Sequence, residues 1–319
     1  MKINLTVILV VQLLLGCAHK PPAVLELPPP ASGIIASVPF TLHDNRILVQ
    51  VMLNGSGPYT MIFDTGGANT ITPMVQHQLN LASQGREIGE GAGSTAFPIH
   101  TVHMRSLELG GLALADQKFM VIDLAKIRRA FGFAHLDGII GLEVLERARV
   151  RVDFDNQRMV LLESSSPEKL RGGRVIPFLL SDEKPVIEGT INGKAAKILI
   201  DTGDRSNLTL FKNFAHASNL EELFARRERV ITGLGLGGPI PGKIAALQSV
   251  NLGGQQIDNV LSRLPLTTGG YFARSDLSAS AGIGLLKAFN LEFDYQKKQL
   301  TLLPRPGFKE PSTFVPVRR

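Results

Sequence analysis

The chain has 319 residues, 44% of them apolar, so it is long and apolar enough to bury the cores of two lobes. Charged residues make up only 19%, and the net charge of +6 is scattered along the chain. Without a basic run, this charge predicts a solvated surface and excludes nucleic acid as the expected partner.

The N-terminus has the pattern of a lipoprotein signal. Lys2 precedes an apolar run, Ile3 to Leu15, that is too short to span a bilayer but suits a signal peptide. The run leads into Gly16-Cys17 and resembles the lipobox of bacterial lipoproteins, where cleavage precedes the cysteine and the cysteine is acylated. Ala18 gives no inner-membrane retention signal, which favours the periplasmic face of the outer membrane. The alternative is an ordinary secretory signal with an incidental cysteine.

These features predict a signal peptide at residues 1–16 and a lipid-anchored tether at residues 17–37. Cys17 is the only cysteine, which excludes disulfides within the chain. The prolines between residues 20 and 30 prevent a helix or central strand and predict an extended segment. Such a tether would hold a folded body near a membrane that it contacts only through the lipid.

Two predicted hairpins each deliver an Asp-Thr-Gly triplet. The first runs from Arg46 to Asp64 and the second from Val186 to Asp201, and both turn at an Asn-Gly pair. A carboxylate directly after a buried strand is costly unless it has a partner or a role. One such triplet would usually be a simple turn, but a second copy in matching context indicates a repeated functional unit.

Further landmarks recur in the same order, which predicts an internal duplication. The two triplets lie 137 residues apart. Four more motifs occur once in each half, 141 to 143 residues apart: Gly-x-Gly at 91 and 233, Leu-Gly-Gly at 109 and 252, Gly-Leu at 141 and 284, and Asp-aromatic at 153 and 294. The polar residues 163–174 form the joint. The lobes are expected at residues 38–165 and 172–305, with a C-terminal tail at 306–319.

Short alternating segments punctuated by Gly and Pro predict mainly β lobes of roughly 130 residues each. Helix is expected to be a minor component, mainly at Leu124–Phe131, after Gly141, and over Lys212–Arg229, where Leu220, Leu223 and Phe224 have helical spacing.

Over about residues 40–305 the chain resembles the aspartic proteases, and among them the retropepsin-like bacterial proteins with two Asp-Thr-Gly units in one polypeptide. The resemblance implies a mainly β, bilobal acid-protease fold, with two pseudo-symmetric β-barrel lobes and the active site between them. It implies an aspartic endopeptidase with the catalytic pair Asp64 and Asp201. The residues implied to support this pair are Thr65, Gly66, Thr202, Gly203, Gly141 and Gly284.

The resemblance implies that the two threonines form hydrogen bonds across the interface between the lobes. It also implies that Gly141 and Gly284 leave room where a strand passes beneath each triplet. Flaps that cover an extended peptide are implied at residues 87–98 and 232–243. Their glycines are Gly91, Gly93, Gly233, Gly235 and Gly237. Alternate glycines give a mobile ribbon whose backbone can approach a substrate strand.

The implied chemistry needs two carboxyl groups. At about 3 Å apart they cannot both ionise comfortably and hold one proton between them. The ionised group can then take a proton from water while the protonated group gives one to the scissile carbonyl oxygen, producing a gem-diol. Which Asp plays which part stays open at this point.

The residue after each triplet departs from the family, which usually has Ala, Ser or Thr there. Gly67 is sterically harmless. Asp204 adds a third carboxylate, which at about 6 Å from the pair and an effective dielectric of about 20 would cost roughly 3 kcal/mol. We expect Asp204 to turn to solvent and pair with Arg205, with perturbation of the catalytic pair as the alternative.

No metal or cofactor is predicted. His100 and His103 lie in a strand, where their spacing puts them on opposite faces, and the chain has no phosphate-binding or serine-nucleophile motif. The expected partner is a peptide or protein substrate in extended conformation, and the second half at high effective concentration favours a monomer. Two other hypotheses remain: a catalytically silent lipoprotein that binds peptides or a partner protein, and a peptidase that acts only on its own tether or on one partner.

Overall fold

The structure, a computed structural model, describes residues 33–307 apart from residues 90, 94, 95 and 268. The predicted signal peptide, the lipidation site Cys17, most of the tether and the tail from residue 308 lie outside the described residues. Within the described part of the chain, no helix is long and apolar enough to cross a membrane.

Strands dominate both halves. Those of the first half are β1 (Ile34–Pro39), β2 (Thr41–His43), β3 (Arg46–Leu53), β4 (Ser56–Phe63), β5 (Thr70–Ile71), β6 (Gln84–Gly89), β7 (Phe97–Leu109), β8 (Leu112–Val121), β9 (Gly138–Ile140), β10 (Arg149–Asp153) and β11 (Arg158–Leu162). Those of the second half are β12 (Arg174–Pro177), β13 (Leu179–Ser181), β14 (Lys184–Ile191), β15 (Lys194–Ile200), β16 (Leu208–Leu210), β17 (Val230–Gly235), β18 (Gly238–Leu252), β19 (Gln255–Pro265), β20 (Ala279–Ala281), β21 (Phe289–Asp294) and β22 (Gln299–Pro304).

Helices are short and few in the described residues. They are α1 (Pro73–Gln78), α2 (Ala125–Ala130), α3 (Leu142–Arg147), α4 (Lys212–Ala217), α5 (Glu222–Ala225), α6 (Ile283–Leu286) and one 3-10 turn (Tyr271–Ala273). The predicted helices at Leu124–Phe131 and after Gly141 are confirmed as α2 and α3. The single helix predicted over Lys212–Arg229 is wrong, because Asn219 adopts a φ of 60° and ends the first of two separate helices.

Each half contains an eight-stranded sheet that folds back on itself. The strand order is β2-β3-β4-β9-β5-β8-β7-β6 in the first and β13-β14-β15-β20-β16-β19-β18-β17 in the second, with additional pairings β3–β7 and β14–β18. The two orders are identical once the strands are matched in chain order. The structure therefore confirms a mainly β, bilobal architecture in which the second lobe repeats the first.

A third, six-stranded sheet joins the lobes in the order β1-β11-β10-β21-β22-β12, with three strands from each half. The residues from Ile34 to Ser37, which the sequence assigned to the tether, lie in β1 of this sheet and pair with β11. They are ordered because Ile35, Ala36 and Val38 pack against the main core.

The strands that lead to the two triplets are buried over their last three residues. Met61, Ile62 and Phe63 of β4 pair in parallel with β9, and residues 198–200 of β15 pair in parallel with β20. A continuous apolar run is typical of a strand covered on both faces. Each of these strands ends at the interface between the lobes, where the next residue is an aspartate.

Candidate active site

The two aspartates of the triplets occupy equivalent positions at the ends of β4 and β15. The Asp64 N–H donates to the Ile140 carbonyl oxygen at 2.9 Å, and the Asp201 N–H donates to that of Ala281 at 3.0 Å. The neighbouring strand therefore fixes the backbone of each aspartate. The duplication delivers one carboxyl group from each lobe to the same point.

The two carboxyl groups meet there, and each lies against a triplet glycine of the other lobe. Each also accepts a backbone N–H of its own triplet: Asp64 Oδ1 from Gly66 at 2.7 Å and Asp201 Oδ1 from Gly203 at 2.9 Å. The glycines also lie against the opposite carboxyl group. A methyl group at Gly66 would stand 3.0 Å from Asp201 Oδ1, and one at Gly203 would clash with the Asp64 carboxylate. Only a residue without a side chain lets the groups approach this closely.

The threonines of the triplets lock the lobes together. Thr65 Oγ1 donates to the Ile200 carbonyl at 2.7 Å and accepts the Thr202 N–H at 3.1 Å. Reciprocally, Thr202 Oγ1 donates to the Phe63 carbonyl at 2.8 Å and accepts the Thr65 N–H at 2.9 Å. Both side chains are buried, so this exchange across the interface fixes the spacing of the two carboxyl groups.

One supporting glycine matches its prediction and the other does not. A methyl group at Gly141 would overlap the Asp64 carbonyl oxygen, so the passing strand leaves no room for a side chain. Gly284 is not its counterpart. Ile140 of β9 pairs with Phe63, and Ala281 of β20 pairs with Ile200, so Gly282 is the residue that corresponds to Gly141. Gly284 lies in α6 instead and packs against Asn207. Aligning the two Gly-Leu pairs misplaced this residue because Gly282 and Gly284 lie only two positions apart.

Burial dominates the electrostatics of the pair. It raises the pKa of Asp64, and the Gly66 N–H and the neighbouring Asp201 carboxyl group partly offset this effect. Burial, the charge of Asp64 and the charge of Asp204, in that order, raise the pKa of Asp201 well above its ordinary value. The pair therefore retains a proton at a pH where isolated carboxyl groups are ionised.

The expectation that Asp204 turns to solvent and pairs with Arg205 is wrong. Asp204 is 8% exposed and forms a buried ion pair with Arg263, whose Nη2 lies 3.1 Å from Asp204 Oδ1. The hydroxyls of Ser206 and Thr209 donate to the same carboxylate at 2.7 and 2.8 Å. Burial alone would raise the pKa of Asp204, but Arg263 and these hydrogen bonds lower it below its ordinary value. Asp204 is therefore a buried, fully paired anion beside Asp201.

Arg205 pairs with a different residue. Its Nε donates to Asp44 Oδ2 at 2.7 Å, and Arg46 forms an ion pair with the same carboxylate. Both guanidinium groups lie over the ring of Phe131, at 4.3 Å for Arg46 and 5.1 Å for Arg205. Asp44 and Arg46 precede the first triplet while Arg205 follows the second. This cluster is a second bridge between the lobes. The sequence did not predict it, because Arg205 was expected to pair with the adjacent Asp204 and its actual partner lies in the other lobe.

The predicted flaps meet over the pair. The first is carried by β6 and β7, with Gly91 and Gly93 in the segment between them, and the second by β17 and β18, with Gly233 and Gly235 in β17 and Gly237 in the turn. The Gly237 N–H donates to the Ala92 carbonyl at 3.1 Å, and Gly93 and Gly237 form a parallel bridge. A side chain at Gly235 would overlap the Ala92 carbonyl. The glycines therefore let one flap lie directly on the other.

A cleft of about 340 Å³ lies between the aspartates and the flaps. Its lining contains both aspartates, residues of both flaps, and apolar residues of both lobes such as Ile62, Met120, Leu199 and Phe272. It also contains four basic residues that sequence reasoning did not assign to the site, namely Arg46, Lys184, Arg205 and Arg263. Two of them could have been predicted from the internal duplication. Lys184 follows Arg46 by 138 residues, close to the spacing of the triplets, and each residue stands two positions after an aspartate.

The remaining candidates do not add a metal site. No cluster of three or more His, Cys, Asp or Glu residues that could hold a metal occurs among residues 33–307 as far as the structure describes them. His103 lies 3.2 Å from Asp116 on the surface, and His100 is a separate, half-buried residue of the same strand.

Comparison with known proteins agrees with this geometry. A family model described as aspartyl protease matches residues 49–144, a segment that includes the first triplet and Gly141. Among solved structures, the chain is similar to a crystal structure of the aspartic proteinase from Irpex lacteus, with a TM-score of 0.53 and 14% sequence identity over 86% of this chain and 98% of that one. At this identity the likeness shows the fold alone. A search of curated protein sequences found no match.

Proposed function

We propose that this chain, which is aspartic-protease-like in the sequence of its first lobe and in its two-lobed fold, is an aspartic endopeptidase. One observation carries the proposal. Two aspartates from equivalent strand ends bring their carboxyl groups together at the base of a flap-covered cleft, held by reciprocal threonine bonds. A fold that only bound peptides would have no need to bury two carboxyl groups in contact, because that arrangement is costly without a catalytic use.

The geometry supports a general acid–base mechanism. In this mechanism we place the proton of the free enzyme on Asp201, which lies beside Asp204, and leave Asp64 as the ionised partner. Asp64 then takes a proton from a bound water as the water oxygen attacks the scissile carbonyl carbon, and Asp201 gives its proton to the carbonyl oxygen. The resulting gem-diol collapses when Asp64 gives its proton to the amide nitrogen, one diol hydroxyl returns a proton to Asp201, and the C–N bond breaks to release the amine and the carboxyl product. No covalent bond to the protein forms at any step.

The flaps support an extended substrate. Their glycine-rich backbones face the cleft opposite the aspartates, so their N–H and carbonyl groups are available to pair with a substrate strand once the contact between Ala92 and Gly237 opens. Opening is needed because the closed flaps leave only about 340 Å³. We expect the single chain to act as a monomer, since it supplies both aspartates.

The test is cleavage of a diverse peptide library by the detergent-solubilised full chain between pH 4 and 8, read by mass spectrometry. Asp64→Asn and Asp201→Asn should each reduce cleavage by about 10³-fold or more, because each removes one of the two proton-transfer groups. Asp116→Asn is the matched control, since it changes an exposed carboxylate on the first lobe. Cleavage that survives either active-site substitution would refute the assignment. Peptide binding without cleavage at any pH would instead favour the catalytically silent binding protein.

The cellular location is a second proposal, supported by the sequence alone. We propose that the body is anchored to the outer membrane, facing the periplasm, through a lipid on Cys17. Cys17→Ser should move the protein from the membrane fraction to the soluble fraction and abolish incorporation of a labelled fatty acid. A Cys17→Ser protein that stays in the membrane fraction would contradict the anchor.

A further inference from the structure

The tip of the second flap carries an apolar side chain, Leu236, that packs on the first lobe. Leu236 lies in the turn between β17 and β18 and lines the cleft. It is half-buried against an apolar cluster whose other described members all belong to the first lobe, among them Ile62, Met120, Ile127 and Ile139. Helix α2 of that lobe also contacts β17. The second flap therefore reaches across the cleft to the opposite lobe.

The four first-lobe residues just named line the cleft, and the space that they border is called the first-lobe pocket. This pocket adjoins the aspartate pair. A methyl group at Gly67 would stand 2.8 Å from Asp64 Oδ2 and 3.2 Å from Ile139 Cγ2, so Ile139 lies close to the Asp64 carboxyl group. Successive side chains of an extended peptide point to opposite sides. A side chain next to the scissile bond is therefore placed to enter the first-lobe pocket.

The first flap holds Leu236 against this pocket. A methyl group at Gly91 would stand 3.3 Å from Leu236 Cβ, so the backbone of the first flap lies directly on the leucine. Beside this contact, the Gly237 N–H donates to the Ala92 carbonyl at 3.1 Å. Leu236 is thereby enclosed between the first flap and the first-lobe pocket. Because two side chains cannot fill the same space, a substrate side chain can enter the pocket only after Leu236 has left it.

The first flap crosses to the second lobe in the same way but brings a smaller side chain. Its Ala92 packs against an apolar cluster of the second lobe that includes Leu199 and Phe272, both of which line the cleft. The side chain of Ala92 is a single methyl group and takes up little of the space that a substrate side chain needs. The two crossed flaps therefore obstruct the cleft unequally, and the bulky group, Leu236, lies on the side of the first lobe.

We propose that Leu236 is an internal competitor of the substrate: it occupies the first-lobe pocket of the free chain, and a peptide binds by displacing it with an apolar side chain beside the scissile bond. The exchange keeps the pocket filled with apolar groups, whereas opening the flap alone would expose the pocket to water. Leu236 therefore lowers the affinity for every substrate without taking part in the chemistry. This inference rests on the proposed function, since it concerns the substrate site of the same cleft.

The test is steady-state kinetics of the detergent-solubilised full chain on one library peptide that it cleaves. Leu236→Ala should lower KM by about tenfold while kcat changes little, because burial of part of a leucine side chain no longer competes with the substrate. Leu236→Asn has nearly the shape of leucine but a polar end that disfavours burial in the pocket, so it should lower KM to a similar extent. An unchanged or raised KM in both variants would overturn the proposal.

Two controls separate occupation of the pocket from a general loosening of the flap. Leu236→Met keeps an apolar side chain of similar volume and should keep the KM of the unmodified chain. Leu179→Ala is the matched control, since Leu179 is a leucine of the same lobe that is 65% exposed and lies outside the cleft lining, and it should change neither kcat nor KM. A KM that falls as far in Leu236→Met as in Leu236→Ala would also refute the internal competitor.

A measurement without substrate separates failure of this inference from failure of the enzyme assignment. The chain contains no tryptophan, so Ile127→Trp places a single fluorescent reporter on the wall of the first-lobe pocket. Quenching of its fluorescence by acrylamide should increase when Leu236→Asn is added and stay unchanged when Leu179→Ala is added. Increased quenching with Leu236→Asn, in a chain that cleaves no peptide, would support the occupied pocket and refute the endopeptidase. Equal quenching with and without Leu236, in a chain that cleaves peptides, would do the opposite.

Discussion

The two lobes have the same strand order but fill the space beside their aspartates differently. In the first lobe Thr70 pairs with Met120 and with Ile139, and Gly67 follows the triplet. In the second lobe the equivalent Thr209 pairs with Arg263 and with Ser280, and Asp204 follows the triplet. The positions that hold apolar groups in the first lobe therefore hold a buried ion pair and its hydroxyl donors in the second lobe.

This difference shows that the ion pair is not needed to build the lobe, because the first lobe adopts the same sheet order without one. A buried ion pair is weak evidence for stability, since desolvation consumes much of the attraction. Its clearest consequence is electrostatic. The charge of Asp204 raises the pKa of Asp201, whereas the equivalent position after the first triplet is the uncharged Gly67.

The largest effect on stability is expected from removing only one member of the ion pair between Asp204 and Arg263. Arg263→Met introduces the residue of the first lobe but leaves the Asp204 carboxylate buried without a cation, which should lower the free energy of unfolding by about 3–5 kcal/mol. The double variant Asp204→Gly with Arg263→Met reproduces the first-lobe pair and should recover more than half of that loss. Chemical denaturation measures both.

The control for this prediction lies at the equivalent place in the first lobe. Met120→Leu changes shape but not charge and should cost less than about 1.5 kcal/mol. A double variant as unstable as Arg263→Met would show that packing of the arginine stem, rather than the unpaired carboxylate, explains the loss.

An intermediate and symmetric effect is expected from the threonines. Thr65→Val and Thr202→Val each leave a buried carbonyl and a buried N–H of the other lobe without a partner, so each should lower the free energy of unfolding by about 1–3 kcal/mol. Both should also reduce kcat more than they change KM, because the aspartate pair loses its fixed spacing. Thr65→Ser and Thr202→Ser retain the hydroxyl and serve as controls. Strongly unequal losses for the two valine variants would contradict a symmetric exchange.

The smallest effect is a shift in pH dependence. Asp204→Asn removes a negative charge beside Asp201 and should lower the raised pKa of Asp201, so the high-pH limb of the kcat/KM profile should move to lower pH. The profile is measured with one cleaved peptide between pH 4 and 9, and thermal melting confirms that the variant is folded at each pH. Asp116→Asn should leave the profile in place. If the high-pH limb of the kcat/KM profile stays fixed or moves to higher pH in Asp204→Asn, Asp204 does not raise the pKa of Asp201.

Much of the fold could be predicted because it depends on local chemistry that the sequence repeats. Apolar runs before Asp64 and Asp201 predicted buried strands, and the order of the landmarks predicted two equivalent lobes, which the matching sheets confirm. Errors arose where one residue decides the outcome, as at Asn219, whose left-handed backbone divides the predicted helix.

Sequence alone identified the two aspartates, threonines and triplet glycines, because their spacing and strand context recur, and it drew attention to Asp204 as an unusual charge. Only the tertiary structure decided the partner of that charge. Arg263 stands 59 residues after Asp204, on a strand that reaches it through the parallel pairing of β16 with β19. Burial selects ion-pair partners by their distance in space, and a folded sheet sets that distance independently of separation along the chain. For the same reason the structure, and not the sequence, gathered Arg46, Lys184 and Arg205 around the cleft.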